Sequence, residues 1–276
     1  AMHPIIFSLG PITIYSFGLM MGISFLIGNY ILAKEFQRKK LHADLASNVT
    51  LIALIAGVSG SKLLYLIENW GFFVKDPFGM IFSPGGLTFY GGFILATSSI
   101  YVYAKKKKIR FMAIADSVAP ALILGYGLAR IGCHLAGDGD YGFPSNLPWA
   151  TDYSNGTYPP SAAFRNFPEV TSQFPGGIVP DNTLCHPTPI YETIICSIFF
   201  LILWKNREKW NAEGQMFSIY LILAGIERFS VEFFRLNPRL AFGLSEAQLI
   251  SLALIALGAY GVNTALRLQK ASVKSK

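Results

Sequence analysis

Four cationic side chains interrupt the apolar segments of this 276-residue sequence. They are Lys62, Arg130, Arg228 and Arg235. An ionised side chain at the centre of a bilayer costs about 2.5–3.5 kcal/mol on insertion scales, so such residues usually face a protein interior or a wet cavity. The guanidinium group of Arg suits a phosphate, because its planar fork donates two parallel hydrogen bonds and stays charged. These residues therefore indicate a site for an anionic phosphate group. The alternative is snorkelling or an internal ion pair, and for Lys62 snorkelling is an equally good explanation.

Three charged residues share one predicted helix face in the sixth apolar segment. Arg228, Glu232 and Arg235 are spaced by four and three residues, which on a helix places them within an arc of about 60°. We expect the Glu232 carboxylate to hold the two guanidinium groups on this face.

Arg, His, Asp and Gly are concentrated where the fourth apolar segment ends, from Gly127 to Gly142. Phosphate binding by Arg130 is the favoured interpretation of this region. Asp138 and Asp140 resemble part of a calcium loop, but the remainder of that pattern is missing. We therefore disfavour a calcium site here, and no metal or cofactor is predicted for the chain.

Two Cys-His pairs, Cys133-His134 and Cys185-His186, flank the long polar interval of the chain. A disulfide between Cys133 and Cys185 is one alternative in an oxidising compartment. A four-ligand metal site is another, and we disfavour it because adjacent residues rarely point at one ion.

Four glycines and Tyr90 lie at the start of the third apolar segment, within residues 84–92. Small residues commonly allow close helix packing in membranes, which is the favoured interpretation of the glycines. The alternative is that bare backbone at Gly91 and Gly92 lets a lipid head group approach, with Tyr90 projecting into the gap.

Hydrophobic residues make up 52% of the chain and charged residues only 14%, a composition typical of a membrane protein. Apolar runs of about 20 residues recur, and in lipid each must satisfy its own backbone as a helix. We predict an all-α polytopic protein in which one membrane domain has seven transmembrane helices. They lie near residues 11–33, 45–67, 84–104, 111–133, 189–204, 215–235 and 244–266. Residues 134–188 are predicted to form a small extracytoplasmic head.

Lys and Arg cluster on alternate connections, which orients the chain. The clusters follow the first, third, fifth and seventh helices, at residues 34–40, 105–110, 205–209 and 267–276. By the positive-inside rule these connections are cytoplasmic, so the N-terminus lies outside and the C-terminus inside. The four helix-borne cations then lie at one depth, towards the outer face. Attraction to anionic lipid explains the net charge of +7, and no nucleic acid partner is predicted.

Several ordered motifs over nearly the whole chain resemble the prolipoprotein diacylglyceryl transferase family. The matching segments are His3-Pro4 through Phe7-Ser8-Leu9-Gly10-Pro11, Gly85-Gly86 through Gly91-Gly92, Asp116-Ser117-Val118-Ala119-Pro120, Arg130-Ile131-Gly132, His186-Pro187 with Tyr191-Glu192, and Arg228-Phe229 through Glu232-Phe233-Phe234-Arg235.

The resemblance implies a multi-pass enzyme of the bacterial inner membrane, with its site towards the periplasmic leaflet. Such an enzyme moves the diacylglyceryl group of phosphatidylglycerol onto the lipobox cysteine thiol of a pre-lipoprotein and releases glycerol 1-phosphate. Arg130 and Arg228 would stabilise charge on the departing phosphate, Glu232 would orient the arginines, and Arg235 would support them. Further lipid-binding positions implied by the motifs are Gly91, Gly92, Gly137, Asp138, Tyr191 and Glu192.

The chain departs from the family pattern at the expected base. Tyr90 stands where the family usually has His, and a phenol with a reference pKa near 10 is a poor base at neutral pH. We hypothesise that His134 supplies the imidazole. A homologue that binds phospholipid without catalysis, or a transferase with another acceptor, are the alternatives, and a transporter is disfavoured because no paired repeats are visible.

Overall fold

A helix occupies each of the seven apolar segments. The computed structural model describes residues 2–10, 12–42, 44–83, 88–235, 237, 239–241 and 243–274. The long helices are α1 (Ser16–Arg38), α2 (Asp44–Glu68), α5 (Phe89–Lys106), α6 (Phe111–Ala136), α9 (Thr188–Asn206), α10 (Gln215–Val231) and α11 (Glu246–Lys274). Two short helices, α3 (Trp70–Phe73) and α4 (Pro77–Phe82), lie between α2 and α5.

Five of these helices are long and apolar enough to cross a membrane. They are Ser16–Arg38, Asp44–Glu68, Phe111–Ala136, Thr188–Asn206 and Glu246–Ser272. Of the other two, α5 ends in a pair of lysines, and α10 has 17 residues before a 3₁₀ turn, Glu232–Phe234, continues it. The chain is therefore a mostly helical protein with several candidate membrane spans.

The start of the first helix was predicted wrongly. Residues from 12 to 15 form a strand, β2 (Ile12–Tyr15), which pairs antiparallel with β1 (Ile5–Leu9). Isoleucine, threonine and tyrosine favour a strand, and mean hydropathy cannot distinguish a short apolar strand from a helix. Pro11, the predicted first residue of this helix, lies outside the described residues.

Residues 29–117 form one compact unit, in which α2 packs along α5. A side chain at Gly91 would collide with the backbone of Gly60, and one at Gly92 with Ser61, so the glycines allow the two helices to approach closely. A contact of this kind is what the packing interpretation of Gly91 and Gly92 predicts. Residues 84–87, where helix three was predicted to begin, lie outside the described residues.

Residues 1–28 and 118–276 form the second unit. In it α10 packs against α11, and α9 lies against α6 where a side chain at Gly127 would stand 2.7 Å from Cβ of Cys196. The Thr193 hydroxyl donates to the Gly127 carbonyl across this contact at 2.8 Å. The contact brings together Arg130, which lies about one turn after Gly127 on α6, and Glu192, which directly precedes Thr193 on α9.

The predicted head has a core of its own between α6 and α9. Two two-residue strands, β3 (Thr151–Asp152) and β4 (Leu184–Cys185), pair antiparallel, and α7 (Pro160–Ala163) and α8 (Pro168–Thr171) lie between them. Beyond α10, β5 (Arg239–Ala241) pairs with β6 (Leu244–Ser245). The buried core residues there are Met2, from the N-terminal segment, and Tyr141, Tyr153, Phe164, Val170, Val179 and Cys185 of the head.

Candidate functional site

Three arginines and three carboxylates form one ion-pair cluster in the second unit. Arg130 comes from the last turns of α6, Glu192 from the first turn and a half of α9, and Arg228 from the end of α10. Asp140 and Arg235 come from the segments that follow α6 and the 3₁₀ turn. Glu232, at the start of that turn, completes the cluster.

Glu192 contacts all three arginines from a fully buried side chain. Its Oε2 lies 2.8 Å from Nε of Arg130, and its Oε1 lies 3.2 Å from Arg235 and 3.5 Å from Arg228. The Tyr126 hydroxyl donates to the same carboxylate at 3.3 Å and accepts from Arg130 at 2.9 Å. Burial of a carboxylate is tolerated here because opposite charges and hydrogen bonds surround it.

Glu232 holds only part of the arginine face that was predicted. It pairs with Arg228 at 2.9 Å and accepts a hydrogen bond from Asn237 at 2.7 Å. Arg235 does not continue the helix face, because α10 ends at Val231 and Arg235 has extended backbone. Arg235 pairs instead with Asp140 and Glu192, so the prediction of a single helical face was wrong for this residue.

Asp140 bridges two of the arginines. Its Oδ2 pairs with Nη1 of Arg130, and its Oδ1 lies 2.5 Å from Nη2 of Arg235. Burial alone would raise the pKa of this carboxyl, but Arg235 and Arg130 outweigh burial and lower it below the usual value. Asp140 is therefore ionised at neutral pH.

Asp138 and Gly137 contribute to the loop that carries Asp140. The Asp138 carboxylate accepts the Asp140 amide at 3.2 Å, and burial together with Asp140 raises its pKa. Gly137 ends α6 with φ of +56°, and an added Cβ would stand 2.6 Å from Gly156. Gly137 thus has a structural reason to be glycine, and lipid binding by Gly137 and Asp138 stays a prediction.

His134 faces the head rather than standing free. Its Nδ1 lies 3.0 Å from the Tyr153 hydroxyl, and the two rings meet edge to face with centroids 5.7 Å apart. This hydrogen bond fixes the orientation of the imidazole ring. A role as base stays a hypothesis.

Tyr191 belongs to an aromatic group beside the cluster. Its hydroxyl accepts a hydrogen bond from Trp149 at 2.8 Å and lies 3.1 Å from Nδ1 of His186. The Phe234 ring stands 5.8 Å from that of Tyr191 and 5.2 Å from that of His186. Phe234 of this group directly precedes Arg235 in the chain. The lipid-binding role of Tyr191 stays a prediction.

Tyr90, Gly91, Gly92 and Lys62 belong to the unit of residues 29–117. The Tyr90 side chain is 53% exposed, and Gly91 and Gly92 contact α2. Lys62 donates to the carbonyl and hydroxyl of Ser83 at 2.9 and 2.8 Å, which gives its charge a structural role. The catalytic role of Tyr90 and the lipid-binding roles of the two glycines stay predictions.

The disulfide alternative was wrong, because Cys133 and Cys185 are both free and buried. Cys133 does lie within 4.8 Å of Asp138 and Asp140, a grouping that could hold a metal ion. Both Asp140 oxygens are already paired with guanidinium groups, and Arg130 also donates to Cys133 at 3.7 Å. A metal ion at these groups would lie beside the positive charge of Arg130, which is unfavourable.

Two members of the site were not predicted from the sequence. Asp140 was considered only as a calcium ligand, and Tyr126 was not singled out. Tyr126 precedes Arg130 by four residues, one helical turn, and this spacing is the sequence signal that could have revealed it.

Comparisons with known proteins all point to one family. The model of the family described as Prolipoprotein diacylglyceryl transferase matches residues 4–264. A phosphatidylglycerol--prolipoprotein diacylglyceryl transferase from Clostridium tetani is 33% identical over 264 residues, covering 95% of this chain and 97% of the relative. Proteins of the same name from Finegoldia magna and Fusobacterium nucleatum are 31% and 28% identical, over 93% and 94% of this chain and 93% and 96% of their own lengths.

Proposed function

The chain belongs to the prolipoprotein diacylglyceryl transferase family, and on that premise we propose that it carries out lipoprotein maturation. It transfers the diacylglyceryl group of phosphatidylglycerol to the thiol of a pre-lipoprotein lipobox cysteine. The family match and the relatives of the same name support the reaction. The observation that carries the site assignment is the convergence of three arginines on the buried Glu192.

The reaction is a displacement at carbon. The cysteine thiolate forms a bond to the glycerol carbon that bears the phosphate, and the carbon–oxygen bond breaks. Its electron pair leaves with glycerol 1-phosphate, and the thiol proton passes to a base.

Arg130 and Arg228 stabilise the charge that develops on the departing phosphate. Their side chains are 17% and 26% exposed, whereas the side chains of Glu192 and Glu232 that orient them are fully buried. Nη1 of Arg228 is buried, stands 3.5 Å from Glu192, and makes no hydrogen bond within the part of the chain that the structure describes.

His134 is the proposed base. In the tautomer in which Nδ1 donates its proton to the Tyr153 hydroxyl, Nε2 is the nitrogen that accepts the thiol proton. Tyr90, which replaces the usual family histidine, is the competing candidate.

The protein is proposed to span the bacterial inner membrane seven times, with its N-terminus outside and its C-terminus in the cytoplasm. The Lys and Arg clusters on alternate connections support this orientation. It places the ends of α6 and α10, and so the arginine cluster, towards the periplasmic leaflet. No nucleic acid takes part.

Transfer of lipid from defined phosphatidylglycerol to a lipobox peptide tests the function. We expect wild-type protein to form the thioether product, and Arg130→Gln and Arg228→Gln to lower kcat about 10²–10³-fold, the usual effect of losing one charge-stabilising donor. Comparison of the transfer rates of His134→Ala and Tyr90→Phe identifies which of the two residues is the base. Binding of phosphatidylglycerol without any product from wild-type protein would instead support a lipid-binding homologue.

A further inference from the structure

Asp140 is the accessible carboxylate of the cluster. Its side chain is 33% exposed, whereas those of Glu192 and Glu232 are fully buried. Its two oxygens occupy one donor each of Arg130 and Arg235. Two oxygens of a phosphate group would bind the same pair of guanidinium groups in the same way.

The charges of the cluster leave room for one anion on that arginine pair. Arg130, Arg228 and Arg235 balance Asp140, Glu192 and Glu232, so these six side chains together carry no net charge. A phosphodiester that joined Asp140 on the pair would place like charges side by side, which is unfavourable.

The backbone of Asp140 is held while its side chain faces the cluster. Its carbonyl accepts a hydrogen bond from the Thr188 hydroxyl at 2.6 Å. Two residues on, the Gly142 amide donates to the His186 carbonyl at 2.9 Å, and the Phe143 amide to Phe234 at 3.0 Å. Rotation about χ1 therefore suffices to withdraw the carboxylate without moving the loop.

We propose that Asp140 is an internal counter-ion that holds Arg130 and Arg235 in the empty site and yields them to the phosphate of the incoming glycerophospholipid. The inference rests on the proposed function, because it assigns the displaced position to that lipid's phosphate. Asp140 is then a positioning residue that sets the affinity of the site for phosphate. It keeps the two arginines ordered between turnovers.

Removal of the carboxylate should strengthen phosphate binding. If the Asp140 carboxylate occupies the arginine pair in about nine-tenths of the molecules, phosphate binds about tenfold more weakly than it would bind to the pair without that carboxylate. We expect full-length Asp140→Asn in detergent micelles to bind inorganic phosphate about tenfold more tightly than wild type, in thermal-shift titrations at constant ionic strength. Glu169→Gln, which removes one charge from the exposed surface of the head, is the matched control and should bind as wild type does.

The lipid arm of the test uses phosphatidylglycerol. We expect Asp140→Asn to lower KM for this lipid without raising kcat, whereas loss of a merely structural contact would raise KM. Weaker phosphate binding by Asp140→Asn would overturn the proposal, and so would tighter binding of inorganic phosphate with an unchanged KM for phosphatidylglycerol.

Folding of the variant is itself informative. If Asp140→Asn is unstable alone, phosphate added during purification should recover folded protein, because phosphate takes the same two guanidinium groups. Failure of phosphate to recover it would contradict the proposal. A wild-type protein without transferase activity would contradict the proposed function. The phosphate titration needs no transfer and would still test the role of Asp140.

Discussion

Glu192 shows how one residue can organise a site of like charges. Three guanidinium groups repel one another unless a negative charge lies among them, and Glu192 contacts each of the three. Its burial strengthens these interactions, because nearby water is excluded. Tyr126 adds a hydrogen bond that restricts the carboxylate further.

Replacement of Glu192 should cost stability as well as activity. Glu192→Ala leaves buried guanidinium charge without its partner, and such a loss typically lowers the free energy of unfolding by about 3–5 kcal/mol. Denaturant unfolding in detergent micelles measures the change. Glu169→Ala on the exposed head is the control for the same substitution, and equal stability of the two variants would contradict the role given to Glu192.

Asp138 should affect stability in a pH-dependent way. Burial and Asp140 raise its pKa, so its ionised form is less favourable in the folded than in the unfolded protein. This ionisation lowers stability as pH rises from the unfolded pKa, about 3.9, through the raised folded pKa. Asp138→Asn is thus expected to have a higher Tm than wild type at pH 7, and the difference should shrink as pH falls towards 3.9.

Asp152 provides a control of opposite sign for that measurement. Hydrogen bonds from Ser154 lower the pKa of its carboxyl. Its contribution is present above the unfolded pKa and is lost as pH falls through the folded pKa, so Asp152→Asn should lower Tm at pH 7. An Asp138→Asn variant that is less stable than wild type at pH 7 would show that its carboxylate stabilises the fold.

The sequence predicted the charged helix residues of the site better than its loop residues. Arg130, Arg228 and Glu192 were recognisable because charge is rare in apolar segments or because they lie in motifs that resemble a family. Asp140 was missed as an arginine partner. Its loop is held by backbone hydrogen bonds to His186 and Phe234, and contacts between segments so distant in sequence leave no local pattern.

At the scale of the helices, the contact between α6 and α9 positions the first ion pair. Gly127 lets α9 approach closely, and the hydroxyl of Thr193 is hydrogen-bonded across the contact. Arg130 follows Gly127 by about one turn, and Glu192 precedes Thr193. The distance between these helices therefore decides whether the Arg130–Glu192 pair forms.

Gly127→Ala should disturb that pair and reduce transfer. The added Cβ would stand 2.7 Å from Cβ of Cys196, closer than real contacts allow, so α6 and α9 must separate. We expect at least a tenfold fall in kcat/KM, of the order that a small misplacement of catalytic groups produces. Gly22→Ala, which meets open space in α1, is the control.

A second substitution at Cys196 tests the cause of the Gly127→Ala effect. Cys196→Gly removes the colliding Cβ and should restore activity to Gly127→Ala, whereas Cys196→Ala keeps the Cβ and should not. Restoration by neither variant would show that the α6–α9 contact is not the cause.

Helix positions were predictable because apolar length is a strong signal, and the predicted spans near 45–67, 111–133 and 189–204 agree closely at both ends with α2, α6 and α9. The β-hairpin before α1 was not predictable in this way. Ile5, Phe7 and Leu9 of this hairpin are exposed, although they are apolar. An open sheet edge cannot lie within the hydrocarbon core, so hydropathy misread a strand as the beginning of a span.

At the scale of the whole molecule, the charge asymmetry makes the orientation testable. Ser172 lies exposed in the head, and Lys106 lies exposed at the end of α5. A membrane-impermeant maleimide applied to intact spheroplasts should label Ser172→Cys but not Lys106→Cys, while lysis should allow both to react. Labelling of Lys106→Cys before lysis would reverse the proposed orientation.

Burial of the three cysteines has a consequence for a catalyst of this kind. Cys133, Cys185 and Cys196 are all buried, and burial with the nearby Asp152 raises the pKa of Cys185 to about 12. An enzyme of this kind whose own thiols were accessible and ionised would attach lipid to itself and lose its function. Here the sulfurs are kept out of reach, so the enzyme can distinguish foreign thiols from its own by access alone.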